Sequence, residues 1–187
     1  MSDPQLFAPL SREHTGLLVI DLQQPLLDLM WNREQLVANI RRLAGGARIL
    51  GLPALVAEQN PDKLGPTSAS VADLLEGWPR YPKFAFSCCG DEHALSALQG
   101  AGRPSWLVCG IEAHVCVSQT VLDLLARGFR VHVAADAVGS RVQPNWQVGL
   151  ERMRQAGAVI TSTEMALFEL LQRAGTDEFR AVQRLVR

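Results

Sequence analysis

The chain has 187 residues, 48% hydrophobic and 20% charged, with 18 Lys and Arg against 19 Asp and Glu and a formal net charge of -1. That length buries a core in a single domain, taken as residues 1–187, and the composition is that of a soluble globular protein. The charge balance argues against nucleic acid or an anionic membrane surface as the main partner, since both need a concentrated basic patch.

The arginines offer no such patch. Arg41 and Arg42, and those between Arg173 and Arg187, are spaced like solvated helix faces. Residues 1–15 contain Asp3, Arg12 and Glu13 and no continuous apolar stretch, so no secretory leader is expected. No run reaches the ~18 apolar residues of a membrane span, and the expected location is cytoplasmic. There Cys88, Cys89, Cys109 and Cys116 read as reduced thiols. His14, His93, His114 and His132 have no metal-ligand spacing, so neither metal nor cofactor is expected.

In chain order, Gly16 to Ile20 is continuously apolar and ends at Asp21, the pattern of a buried parallel strand whose end opens onto a site. Two readings stand for Asp21: a catalytic carboxylate, or an ordinary cap or turn residue. Gln23 to Asn32 reads as a loop carrying Pro25 and Trp31. Helical spacing follows over residues 34–50, weakened near its end by Gly45 and Gly46. Residues 53–57 predict a second strand, and residues 58–67, rich in Pro, Gly and Asn, a loop.

A short helix over residues 71–76 leads to a third strand over 80–86. Pro82 places that strand at a sheet edge, where Lys83 has the ordinary reading of a solubilising lysine. A helix over 91–99 comes next, then a strand over 106–109. A helix over 114–127 precedes a fifth strand, in which Phe129, Val131 and Val133 alternate with Arg130 and His132 before Asp136 closes it. The remaining elements are a helix over 144–155, a strand over 158–161 and helices over 163–172 and 176–187.

Strands and helices alternate throughout. That predicts an α/β, three-layer Rossmann-like fold with a six-stranded parallel sheet and helices on both faces. The first and fourth strands are the most apolar and belong at the centre, which implies strand order 3-2-1-4-5-6. A crevice then opens at the carboxyl ends of strands 1 and 4, where the order reverses. Asp21 and the stretch Gly110 to Val117 face each other across it.

That stretch places Cys116 at or near a helix start, where unpaired N–H groups favour a thiolate and can hold an oxyanion. The other cysteines read as small buried residues. Dinucleotide, phosphate-loop and serine-elbow signatures are absent.

Asp21, Lys83 and the segment Gly110 to Val117 together resemble the isochorismatase-like cysteine hydrolases, especially the metal-free branch of isochorismatase domain-containing proteins. The likeness extends through Glu58-Gln59-Asn60 with Gly65-Pro66-Thr67, Lys83-Phe84 with Ser87-Cys88, and Leu122 to Leu125 with Arg127-Gly128. It continues through Asp136-Ala137 with Ser140-Arg141 and the tail from Glu164 to Thr176. The resemblance implies Cys116 as nucleophile, Asp21 as general base and later acid, and Lys83 as the charge partner of Asp21. It also implies a cis peptide between Ile111 and Glu112, with the backbone N–H groups of Glu112 and Cys116 forming an oxyanion hole.

Nicotinamidase-type members carry a histidine-containing metal site after the second strand, and residues 58–67 contain no histidine. Isochorismatases proper lack the cysteine. The resemblance therefore implies metal-free C–N hydrolysis of a small amide, ureido or related acyl compound through a thioester, in a homo-oligomer. Gln24, Trp31, His114 and Trp146 are candidate pocket residues, with packing or a surface position as the alternative for each aromatic ring. The competing function is a non-catalytic or redox-responsive small-molecule-binding protein of the same fold.

Overall fold

The computed structural model describes residues 9–187; the first part of the leader reading, residues 1–8, lies outside them. Six parallel strands form one sheet: β1 (Thr15–Ile20), β2 (Ala54–Gln59), β3 (Arg80–Lys83), β4 (Ser105–Ile111), β5 (Arg130–Gly139) and β6 (Val159–Thr161). Their order is β3-β2-β1-β4-β5-β6, as the apolar character of the first and fourth strands implies.

Both central strands are buried along their whole length because each faces two cores. Leu17 and Val19 of β1 point into one core, where Leu36, Ile40 and Leu43 of helix α2 (Arg33–Ile49) meet Leu167 and Leu170. Leu18 and Ile20 point into the other, against Leu98, Val121, Leu124 and Met153. Alternate side chains of one strand thus serve opposite faces, which is why β1 shows no polar alternation.

The short helices α1 (Gln24–Leu27), α3 (Pro61–Leu64) and α4 (Ala69–Ala72) lie in the connections after β1 and β2. Helices α5 (Glu92–Gly100), α6 (Ser118–Ala126) and α7 (Gln143–Gln155) cover one face. On the other, α8 (Thr163–Leu171) and α9 (Asp177–Val186) join α2.

Three local expectations need correction, and one that two glycines had weakened holds: helix α2 runs through Gly45 and Gly46 as its spacing predicts, and a Cβ on Gly46 would clash with Leu167 Cδ2. The glycine is there for close helix packing. Strand β3 ends at Lys83 and not at residue 86. Strand β5 continues past Asp136 to Gly139, with a register shift opposite Val108 to Gly110. Finally, α1 and α3 form inside segments whose Pro and Gly content reads as loop.

The approach of β4 to β1 is closest at Gly110, the last pairing before the crevice. Its φ is +121°, and a Cβ there would sit 2.1 Å from the carbonyl oxygen of Ile20. Backbone on backbone leaves nothing flexible to give way. Gly110→Ala should therefore lower folding stability by about 3 kcal/mol through strain and overpacking, measured as a shifted denaturant midpoint with unchanged slope.

Candidate active site

Asp21 follows the last residue of β1 in a left-handed conformation, φ +55°, which aspartate tolerates better than most residues. Its N–H donates to Ala57 O at 3.0 Å and its carbonyl accepts from Gln23 N at 2.8 Å. This turn carries the carboxylate under the end of the sheet, where it is fully buried.

Lys83 reaches it from two strands away. The side chain is also fully buried, so it is no surface lysine despite its edge strand. Lys83 Nζ donates to Asp21 Oδ2 at 2.8 Å, Gln59 Oε1 at 2.6 Å, Phe86 O at 3.1 Å and Ala85 O at 3.3 Å. Asp21 Oδ1 has no hydrogen-bond partner of regular geometry.

Cys116 faces this pair from a π-helical turn, Ala113–Val117, that precedes α6. Val117 N closes the turn on Glu112 O at 3.2 Å, and Val115 N donates to the same oxygen at 3.0 Å. Turns of this kind are frequent at functional sites. Thr120 Oγ1 donates to Cys116 O at 2.7 Å and accepts from Cys88 N at 3.0 Å, tying the turn to the segment after β3. The peptide between Ile111 and Glu112 is cis.

The electrostatics follow from burial. Desolvation raises the Asp21 pKa, with Lys83 pulling it part of the way back and the Cys116 thiol and Gln59 backbone assisting. Burial opposes the Lys83 ammonium too, but attraction to Asp21, with the hydrogen bond to its carboxylate, holds Lys83 above its ordinary value. Burial pushes the Cys116 thiol up to about 12, Asp21 adds to the rise, and Lys83 counters it. The resting side chain is a neutral thiol. This corrects the expectation that a helix start would favour the thiolate. Cys88 and Cys109 are likewise pushed up to about 12 by burial.

The candidate pocket residues occupy different places. His114 Nδ1 lies 3.0 Å from Ser140 Oγ, and its Nε2 lies 3.3 Å from Asn145 Nδ2. Trp31 is half exposed and its N–H donates to Ser140 O at 3.3 Å. Trp146 packs against the second core and its Nε1 donates to Ala135 O at 3.0 Å. Gln24 is engaged in local contacts, accepting from Ser68 Oγ at 2.5 Å and donating to Asp28 Oδ1 at 2.7 Å.

The neighbouring Gln23 reaches the site support instead. It is fully buried, donates to Gln59 O at 2.8 Å and Gly65 O at 2.7 Å, and accepts from Gln59 N at 2.9 Å. Gln23 and Gln59 escape sequence reasoning because a polar residue beside Pro and Gly reads as loop. Glu112 is a further surprise: its carboxylate accepts from both the backbone N and the Nε of Arg141, at 3.0 and 3.1 Å. Among the described residues no three His, Cys, Asp or Glu side chains group as metal ligands, and no helix is long and apolar enough to cross a membrane.

Fold and cluster together define a doubly wound α/β protein with a buried Asp–Lys pair and a thiol at its switch point. The isochorismatase domain model matches residues 15–165. Isochorismatase domain-containing protein 2 of Danio rerio is 37% identical over 178 residues, covering 95% of this chain and 89% of the relative. A Caenorhabditis elegans structure described as a MAR1 ribonuclease superposes with a TM-score of 0.90 at 36% identity, over 96% of this chain and 92% of that one. The Escherichia coli YcaC gene product, described as an octameric hydrolase of unknown specificity, gives 0.91 at 22% identity, over 98% and 91%. The chain belongs to the isochorismatase family, whose fold is that of a hydrolase.

Replacing Lys83 by Met leaves a buried carboxylate alone, a loss of about 3–5 kcal/mol when one partner of a buried ion pair is removed. Because the folded Asp21 pKa would then rise further above its unfolded value, the deficit should be smallest in acid, where the carboxyl is neutral in both proteins. It should widen as pH rises through the wild-type Asp21 titration. Denaturant melts of Lys83→Met and wild type across acid to neutral pH measure this.

Proposed function

We propose that the protein is a metal-independent cysteine hydrolase that cleaves the C–N bond of a small amide, ureido or related acyl compound. The observation that carries this reading is a neutral, nearly buried Cys116 thiol beside a carboxylate whose second oxygen, Oδ1, is unpartnered while the first is held by Lys83. In this reading Oδ1 takes the thiol proton as sulfur attacks the carbonyl carbon. The backbone N–H groups of Glu112 and Cys116 are assigned to the oxyanion of the tetrahedral intermediate. Asp21 returns the proton to the leaving nitrogen, which departs as ammonia or an amine. The thioester is then hydrolysed by a water that Asp21 deprotonates, and the thiol is restored.

A redox-responsive binding role is less well supported, because thiol sensing depends on an accessible thiolate and Cys116 is held as the thiol. The C. elegans neighbour's description makes RNA a necessary arm of the substrate screen. A near-neutral chain with no concentrated basic patch favours a small molecule. We assign it to the reducing cytoplasm, where its four thiols stay free.

On a screen of small amides and ureido compounds, Cys116→Ala should reduce turnover at least ~10³-fold, and a chelator should leave wild-type turnover unchanged. Mass spectrometry of a slow substrate should find the acyl group on Cys116. The acid limb of kcat/KM should lie above the ordinary carboxylate range, because burial raises Asp21 and activity needs its ionised form. Turnover surviving in Cys116→Ala would overturn the assignment.

We also assign the chain to a homo-oligomer. Leu29, Trp31, Phe84 and Phe86 are large apolar side chains left exposed after β1 and β3. Light scattering should return a multiple of the 20.4 kDa protomer mass.

A further inference from the structure

Gln59 has no part in the reaction as assigned, yet it holds the cation that pairs with Asp21. Its side-chain Oε1 accepts from Lys83 Nζ at 2.6 Å, and the same ammonium donates to Asp21 Oδ2 at 2.8 Å. We propose that Gln59 is a positioning residue that directs the Lys83 ammonium onto one oxygen of Asp21 and keeps the other free for the thiol.

The donor count carries the argument. An ammonium has three N–H groups. One goes to Asp21 Oδ2 and one to Gln59 Oε1, while the third is shared by Phe86 O and Ala85 O. None remains for a substrate. Without the Gln59 acceptor, a fully buried cation keeps only Asp21 Oδ2 and the longer contacts to Phe86 O at 3.1 Å and Ala85 O at 3.3 Å. The free carboxylate oxygen Oδ1 is a stronger acceptor than either carbonyl, so the ammonium is drawn across the carboxylate onto the atom the thiol needs.

The amide is held so that its oxygen faces the cation: Nε2 donates to Phe84 O at 2.9 Å, which fixes the other end. Its backbone is clamped by Gln23, which accepts from Gln59 N and donates to Gln59 O. The register that pairs Gln59 with Lys83 across β2 and β3 sets the two side chains level. A neutral acceptor suits this position. A carboxylate would hold Lys83 as well, but its charge would raise both Asp21 and Cys116 and compete for the cation.

The catalytic consequence rests on the hydrolase reading, so the test uses a reaction that needs no substrate turnover. Wild type, Gln59→Met, Lys83→Met and the double variant are treated with iodoacetamide from neutral to alkaline pH. Alkylation of Cys116 is followed by peptide mass spectrometry, with folding checked by circular dichroism. Gln59→Met should slow alkylation at neutral pH about tenfold, the effect of one unit in thiol ionisation. Lys83→Met should slow it at least as much, and adding Gln59→Met to Lys83→Met should change the rate less than about twofold, because the effect travels through the lysine.

Should Gln59→Met not fold, Gln59→Asn, which withdraws the amide by one methylene, should slow alkylation in the same direction. A folded Gln59 variant that reacts within about twofold of wild type, or losses that multiply in the double variant, would overturn the proposal. Either outcome is independent of whether Cys116 turns over any amide.

Discussion

The structure depends on a charge pair withdrawn from the protein surface. Asp21 and Lys83 are both fully buried, and two ions taken out of water are tolerated only when each is supplied with partners. The fold supplies them from three adjacent strands. β1 ends in the left-handed turn that lowers Asp21 into place, β2 ends at Gln59, and β3 ends at Lys83. The parallel register that sets Ile20 beside Ala57 and Gln59 beside Lys83 brings these ends to one level. From the other side of β1, Gly110 lets β4 come close enough to carry the cysteine turn over the same point.

This dependence explains what could be read from sequence. The order of strands was legible because β1 and β4 are apolar on both faces, a pattern only central parallel strands need. The meeting of Asp21 with the Cys116 turn follows from that order, since the switch point joins them. Lys83 was legible only by family resemblance. Pro82 correctly sends its strand to the edge, but it cannot say that a four-carbon side chain turns inward across β2 to reach Asp21.

Other features failed for reasons just as local. Gly45 and Gly46 weaken the helical reading because the sequence does not show Leu185 against the first and Leu167 against the second. Asp136 looks like a strand terminator, whereas its carboxylate accepts from Thr163 N and Oγ1 at the start of α8 while the strand continues beneath it. Gln23 and Gln59 are polar residues whose value lies in partners 36 and 24 positions away. Pattern reading sees the residue and its neighbours; these assignments need the contact.

The state of the thiol was read wrongly for an instructive reason. A helix start favours a thiolate, but Cys116 is only 7% exposed and already shares its surroundings with a carboxylate. Losing the proton to solvent would add a negative charge to a buried site, which is why burial pushes the thiol up to about 12. Passing the proton to Asp21 is a different event. Before transfer the site holds an ammonium, a carboxylate and a neutral thiol; afterwards it holds an ammonium, a neutral acid and a thiolate. The net charge is the same, so burial does not oppose the transfer as it opposes ionisation. Burial raises Asp21 as well as the thiol, so the carboxylate is a stronger base than it would be in water. In the proposed reaction the thiol gives its electrons to a carbonyl carbon as Asp21 receives its proton. The buried lysine is the counter-charge of that carboxylate, which is why the cation belongs to the proposed chemistry although it has no N–H left to touch a substrate.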